Sequence, residues 1–415
     1  MTRRKGRYMR VQEDSRRAAP NGPLPFSAAF PALLLMTGLF YINFIARISL
    51  APLLPSIEQD LGFTHGESGA LFLLVSGGYC VAIICSGCIS SRINHRGAIF
   101  FSAAGLGLSL IWIALSHSLP ALRVGLLLMG AAAGFYLPSG IATLTSLINP
   151  RDWGKAISVH ELAPNLGFVT APILCEILFL QLSWRGIMGL LGLASICVGI
   201  AFAIMGKGGN FPGQAPSIRA TRTLFSVPSF WIMVVLFSLG ITGSLGIFSM
   251  LPLYLVAERG IERNWANTLI ALSRLSGVFM VFIAGWVNDR LGPKSTLIWV
   301  MGLTGLCTVC LALVPDRFLV VPLFLQPMAA VCFFPPAFAA LARVGPAETR
   351  NVSVSFTVPA AFLLGGGVAP ITIGAMGDAW SFSIGMGLLG TLILCGTMLA
   401  ARLKMAPPAR VLENQ

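Results

Sequence analysis

Residues 285–294 read GWVNDRLGPK, and 198 residues earlier, at 87–96, the chain reads GCISSRINHR. Gly87 falls under Gly285, Arg92 under Arg290 and Arg96 under Lys294, while Ser91 stands opposite Asp289 and Asn94 opposite Gly292. The same offset carries outward on both sides, placing Gly62 on Gly260, Pro138 on Pro336 and Pro172 on Pro370. Gly and Pro mark turns and helix breaks for backbone reasons, so a register held over that distance implies two copies of one structural unit.

The solvent of that unit follows from composition. At 56% hydrophobic and 10% charged, with a mean hydropathy of +0.82, the chain departs from soluble proteins, whose charged share is about 25%. Apolar runs long enough to cross a bilayer core of roughly 30 Å recur twelve times, near 28–54, 68–90, 97–117, 120–147, 155–180, 185–205, 229–256, 264–287, 295–314, 318–342, 353–376 and 382–402. The expected fold is therefore an all-α membrane protein of twelve transmembrane helices in two pseudo-symmetric six-helix halves. Its organisation reads as a basic tail (1–27), a first half (28–205), a linker rich in Gly, Pro, Ser and Arg (206–228), a second half (229–403) and a closing tail (404–415). Paired repeats in a lipid-embedded chain are the building plan of secondary transporters.

The net charge of +13 would suggest nucleic acid in a soluble chain, but its distribution points to topology. Arg3, Arg4, Lys5, Arg7, Arg10, Arg16 and Arg17 crowd the first tail, and most other bases lie in alternate loops, at Arg92, Arg96, Arg151, Lys155, Lys207, Arg219, Arg222, Arg290, Lys294, Arg343 and Arg350. The positive-inside rule then places both termini in the cytoplasm, with membrane lipid as the surrounding partner and no nucleic acid. The first apolar segment is too long for a signal peptide and lacks a small-residue cleavage site, so it is expected to be retained. The CxxC spacings Cys85/Cys88 and Cys307/Cys310 sit in apolar helices without a second ligand cluster and read as packing, so no metal and no cofactor is expected.

The run Gly285, Asp289, Arg290, Gly292, Lys294 resembles the G-x-x-x-D-R-x-G-x-K/R loop signature of the major facilitator superfamily. The resemblance covers residues 28–402 and implies the major facilitator fold, a working monomer, and a gating role for Gly87, Arg92, Gly285, Asp289, Arg290 and Gly292. Arg123 with Gly130 and Gly134 in the fourth helix, and Gly167 with Pro172 in the fifth, match other family marks. Within the superfamily, Asn43-Phe-Ile-Ala-Arg47 and Ser158-Val-His160-Glu161-Leu-Ala-Pro164-Asn165 look like the organic-anion and organophosphate carriers, where an Arg in the first helix binds substrate. Pro164 stands where the phosphate-ester antiporters have a substrate-site His, and the seventh helix has no Arg, which weighs against a phosphate ester. Arg274 resembles the anion-binding Arg of nitrate, oxalate/formate and monocarboxylate carriers.

The residues themselves point the same way. Arg47 and Arg274 are the bases placed well inside spans, where each costs about 2.5–3.5 kcal/mol on insertion scales. At the repeat offset they face Leu245 and Ser76, so the symmetry is broken at both charges. A guanidinium fork matches a carboxylate, and one Arg from each half suits an anionic small-molecule substrate bound by both. Arg47 has a second reading, an ion pair with Glu161 or Glu176 that ties helices together. Glu161 and His160 are candidate proton carriers, adjacent on a helix and so about 100° apart, with one of them expected to face a cavity. Arg123 joins them as a coupling candidate by its family position, or snorkels to the interface. Tyr41, Asn43, Tyr79, Tyr136, Asn165, Tyr254 and Gln326 supply polar atoms that either orient a substrate or bond neighbouring helices.

Three functions compete: proton-coupled symport of a small organic anion, efflux of drugs or metabolites, and a non-transporting membrane sensor. An intramembrane enzyme is not supported, since HExxH, GxSxG and paired intramembrane Asp residues are missing, and no P-loop offers ATP drive.

Overall fold

The computed structural model describes residues 23–213, 218–345 and 350–405; the basic tail at Arg3 to Arg17 lies outside them. Eleven helical runs are long and apolar enough to cross a membrane. One of them, His65–Ala114, has 50 residues and a non-helical break at Asn94 (φ 59°, ψ 173°). At 1.5 Å per residue it spans about 75 Å, more than twice a bilayer core, so it makes two crossings. The helices are α1 Phe26–Leu61, α2 65–93, α3 95–114, α4 Leu119–Leu147, α5 Pro150–Phe179, α6 Trp184–Met205, α7 Pro228–Glu258, α8 Arg263–Leu291, α9 Pro293–Leu313, α10 Val320–Leu341, α11 Val352–Ala379 and α12 Phe382–Arg402. This is the expected all-α membrane fold of twelve spans.

The chain forms two compact units. The first takes the described residues up to Phe63 and from Leu74 to 213, and the second takes Thr64–Leu73 and the described residues from 218 onward. The opening turns of α2 thus belong to the second unit, where the Asp378 carboxylate accepts the His65 and Gly66 amides at 2.9 and 2.8 Å.

Within each unit the repeat is visible in atoms. In the first, α3 meets α6 at Gly107 and Gly192, where a Cβ on Gly107 would stand 2.5 Å from the Gly192 carbonyl oxygen. In the second, α9 meets α12 at the repeat mates Gly305 and Gly390, where a Cβ on Gly305 would stand 2.8 Å from the Gly390 oxygen. Lipid tails are as apolar as Leu, so helices associate by such close backbone approach rather than by a hydrophobic drive.

Proline sets the bends. α1 breaks at Ser49, α4 at Phe135, α5 at Glu161 and α10 at Cys332–Phe333. Pro52, Pro138, Pro164 and Pro336 follow three residues after Ser49, Phe135, Glu161 and Phe333. A Pro ring has no N–H to give and collides with the carbonyl four residues back, so the turn before it opens. Among the described residues, π-helical turns occur in the second unit at Thr242–Gly246 and Tyr254–Glu258 in α7 and at Phe362–Val368 in α11.

The two copies of the opening motif differ in sequence and agree in backbone. Asn94 takes a positive φ, as its mate Gly292 does (φ 78°, ψ 159°). With ψ near 180° this is a region essentially reserved for Gly, so Asn94 is strained there, and its side-chain oxygen offsets part of the cost by accepting the Gly97 amide at 2.8 Å. Beside Asn94 the chain after α6 returns as a strap. Gly213 N donates to Ser90 O (3.0 Å), His95 N to Phe211 O (3.2 Å) and Arg96 N to Gly209 O (2.8 Å). The Arg96 guanidinium donates to the Gly206 and Ala203 carbonyls at the end of α6, at 2.6 and 3.0 Å. Of the first-copy motif, Arg92 stays exposed.

Candidate substrate and proton site

The first unit gathers its buried polar residues around the bends of α1 and α5. Arg47 lies two residues before the α1 break and is 8% exposed. Its guanidinium sits 4.3 Å over the Tyr79 ring and 5.3 Å from the Phe44 ring, and its Nε reaches the Asn43 carbonyl at 3.4 Å. A cation over an aromatic face gains about 0.5–2 kcal/mol, more as water is excluded. Among the described residues Arg47 makes no ion pair, so the reading that joins it to Glu161 or Glu176 does not hold in this structure. Tyr79 is held where it is because Gly134 of α4 touches its backbone, the added Cβ standing 2.6 Å from the Tyr79 carbonyl oxygen.

His160 ends the first segment of α5, and Glu161 is the bend itself. The two point apart, as successive helical positions must: His160 is fully buried, and the Glu161 side chain is 47% exposed. The imidazole is stacked on Phe40 (4.5 Å, 9°) and lies parallel to Tyr136 (5.9 Å, 6°). Its Nε2 is 3.1 Å from the Tyr136 hydroxyl, which donates to the Met36 carbonyl at 2.6 Å. Its Nδ1 is 3.6 Å from Glu161 Oε1. Phe40 and Met36 were not singled out in the sequence; with Phe44 and Arg47 they repeat at 36, 40, 44 and 47, one face of α1.

Other named polar residues have local partners. Tyr41 Oη lies 2.7 Å from Thr170 Oγ1, Asn43 donates to the Ala133 carbonyl of α4 at 3.1 Å, and Asn165 donates to the Glu161 carbonyl at 2.9 Å. Arg123 is half-buried on α4.

In the second unit the π-turn of α7 is the organising feature. An i→i+5 turn displaces carbonyls from the regular ladder, and side chains from neighbouring helices take them. Gln326 of α10 donates to Gly243 O at 2.7 Å, with Thr308 Oγ1 at 3.3 Å. Arg274 of α8, 8% exposed, donates from Nη2 to Ser244 O at 2.9 Å and lies 4.9 Å from the Phe248 ring. Tyr254 donates to the Leu311 carbonyl at 2.9 Å and accepts from Arg259 Nε at 2.7 Å. At the α8–α9 turn, Gly292 N donates to Asn288 O at 2.9 Å, Arg290 stacks 4.2 Å over Trp286, and Asp289 is exposed. Gly285 and Gly292 have open space where a side chain would stand.

A chain that crosses the bilayer twelve times in two repeats, with an Arg buried in each, has the build of a secondary transporter. Residues 33–370 and 265–414 match the family model described as Major Facilitator Superfamily, and the chain belongs to that superfamily. It is 26% identical over 307 residues to the uncharacterized MFS-type transporter YceJ of Bacillus subtilis (strain 168), covering 72% of this chain and 77% of that protein. It is 23% identical to the probable L-galactonate transporter of Escherichia coli (strain K12), covering 63% and 61%. To the multidrug resistance protein MdtL of Shewanella sp. (strain ANA-3) it is 21% identical, covering 59% and 63%. The chain thus spans a little under two thirds of these last two relatives. Among solved structures, a bacterial homologue of the human lysosomal transporter Spinster, inward-facing and occupied, superposes with a TM-score of 0.79 at 15% identity, over 94% of this chain and 100% of that one. That likeness establishes the fold. The protein is a multi-pass membrane transporter, not an enzyme.

Proposed function

We propose that this transporter moves a small organic anion, a carboxylate by preference, by alternating access in symport with protons. The observation that carries the reading is Arg47: a guanidinium buried in a membrane helix, one face on Tyr79, that makes no ion pair among the described residues. A buried charge of that kind is stabilised by an anion, and a planar carboxylate matches its fork. Arg274 in the second unit is the other cationic contact. Tyr41, Asn43, Tyr79, Tyr136, Asn165 and Gln326 shape the two contacts. Relatives named for L-galactonate and for hexose phosphate, both anions, favour the same class. Glu161 and His160 carry the proton, Arg123 sets the coupling, and Gly87, Arg92, Gly285, Asp289, Arg290 and Gly292 serve the gating loops. The excess of Lys and Arg in alternate loops supports cytoplasmic termini, and we read the chain as a monomer of a bacterial inner membrane.

Efflux of drugs or metabolites is the second reading, favoured by the relatives named MdtL. Uptake of labelled mono- and dicarboxylates, sugar acids and phosphate esters into proteoliposomes, with and without an inward proton gradient, separates the two. Gradient-driven accumulation of one anion class is expected. Arg47→Ala and Arg274→Ala each abolish it while insertion is kept, and wild-type rates in either variant would remove the anion reading. Glu161→Gln is expected to lose accumulation and keep exchange.

A further inference from the structure

We infer that His160 and Glu161 form a single one-proton site, in which the neutral imidazole is fixed as its Nε2–H tautomer and Nδ1 is the inner acceptor. The inference rests on the proton-coupled reading for its purpose, though not for its geometry.

The tautomer follows from a backbone carbonyl. Tyr136 Oη lies 2.6 Å from Met36 O, and a carbonyl only accepts, so the single hydroxyl proton is committed there. The 3.1 Å contact between Tyr136 Oη and His160 Nε2 therefore takes its hydrogen from the nitrogen. Nδ1 is left with a lone pair. It is buried, has no hydrogen-bond partner among the described residues, and faces Glu161 Oε1 at 3.6 Å. Phe40 and Tyr136, parallel to the ring, oppose the rotation that would exchange the two nitrogens.

Such a pair holds one proton in two forms. Either the Glu161 carboxyl donates its O–H to Nδ1, or the proton crosses to Nδ1 and an imidazolium N–H faces a carboxylate. Both forms are neutral as a pair. Loss of the proton leaves a carboxylate against a lone pair, a repulsive contact relieved by turning the half-exposed Glu161 away. The proton enters and leaves through Glu161, and His160 keeps it out of water.

α1 and the second segment of α4 pack against the segment of α5 that ends at His160. From α4 comes Tyr136; from α1 come Phe40 and the Met36 carbonyl, with Arg47 further along the same face. Tyr79 of α2 lies under the Arg47 guanidinium. An anion at Arg47 would alter the field at this pair, which gives substrate and proton a common neighbourhood in the first unit.

The test needs no substrate, so its failure is distinct from a failed uptake assay. The chain has four histidines, and full-length protein in nanodiscs labelled with ¹⁵N-histidine yields four ring systems, His160 being assigned by its loss in His160→Gln. The expected result at alkaline pH is the Nε2–H signature for His160. Tyr136→Phe is expected to lose that signature selectively, which also supplies the assignment should His160→Gln fail to fold. Glu161→Gln is expected to move the Nδ1 resonance of His160 and leave those of His65, His95 and His117 in place. An Nδ1–H tautomer in the wild type, or an Nδ1 resonance indifferent to Glu161→Gln, would overturn the pair.

Discussion

Asn94 shows how far a single side chain can stand in for glycine. Its φ of 59° matches the 78° of Gly292, and its own oxygen caps the Gly97 amide. Asn94→Gly relieves a backbone strain of about 1–3 kcal/mol and gives up the cap on Gly97, so a net gain of no more than about 2 kcal/mol is expected, whereas Asn94→Val, β-branched and without the cap, should cost about 1–3 kcal/mol. Thermal unfolding of the detergent-solubilised protein checks both. Gln326 makes a second case. Its amide takes the Gly243 carbonyl that the π-turn sets free, so Gln326→Ala strands a buried acceptor and should cost about 1–3 kcal/mol in the same assay. Arg47 and Arg274 were legible in the sequence because a charge in an apolar run has few structural excuses. The setting of His160 was not. His160 stacks on Phe40 and meets Tyr136, whose hydroxyl is committed to the Met36 carbonyl. Tyr136 stood among the polar candidates, but in a chain this apolar Phe40 looks like filler, and the atom that fixes the tautomer is backbone and has no letter.

Four helix breaks fall three residues before Pro52, Pro138, Pro164 and Pro336. Pro31, Pro172 and Pro327 lie inside unbroken helical segments, so the sequence offers more Pro than bends and did not mark which would break. The π-turns were not legible either, since Thr242–Gly246 differs from an ordinary helical stretch by one hydrogen-bond register and no residue type marks it. Close packing was legible as Gly repeats without showing which pairs touch. Gly107 and Gly192 do, and Gly107→Leu drives a side chain into a carbonyl 2.5 Å away. A loss of folded, monodisperse protein is expected. Gly38 in α1 is the control: nothing lies within 4 Å of its missing Cβ, so Gly38→Ala should gain about 0.5–1 kcal/mol from helix propensity. Equal behaviour of the two variants would contradict the packing.

Over the whole molecule the two units share a frame and differ in chemistry. At one pair of repeat mates, Asp60 accepts from Trp184 Nε1 at 3.0 Å and pairs with Arg185, whereas Glu258 accepts the amide of Ser383 at 3.2 Å. The same helix ends are tied by an indole and a guanidinium in one unit, and by two backbone amides and the Ser383 hydroxyl in the other. The division into two sets of six spans was legible from the offset of 198; the seat of the linker was not, because it depends on carbonyls of residues with no common motif. Arg96→Ala removes two charge-assisted bonds to the Gly206 and Ala203 carbonyls, and trypsin cleavage after Lys207 in the strap should rise at least about tenfold. An unchanged rate would mean the strap does not depend on Arg96. The strap also shortens a tether. Gly213 is pinned to Ser90, and the short helix Ile218–Phe225 is seated in the second unit by the buried Leu224 and by Phe225 on Phe230. Only five peptide steps lie between Gly213 and Ile218, and fully drawn out they reach about 17 Å. However the two units move in the transport cycle, their joined ends meet a covalent stop at that length, and a few inserted Gly and Ser residues would slacken it.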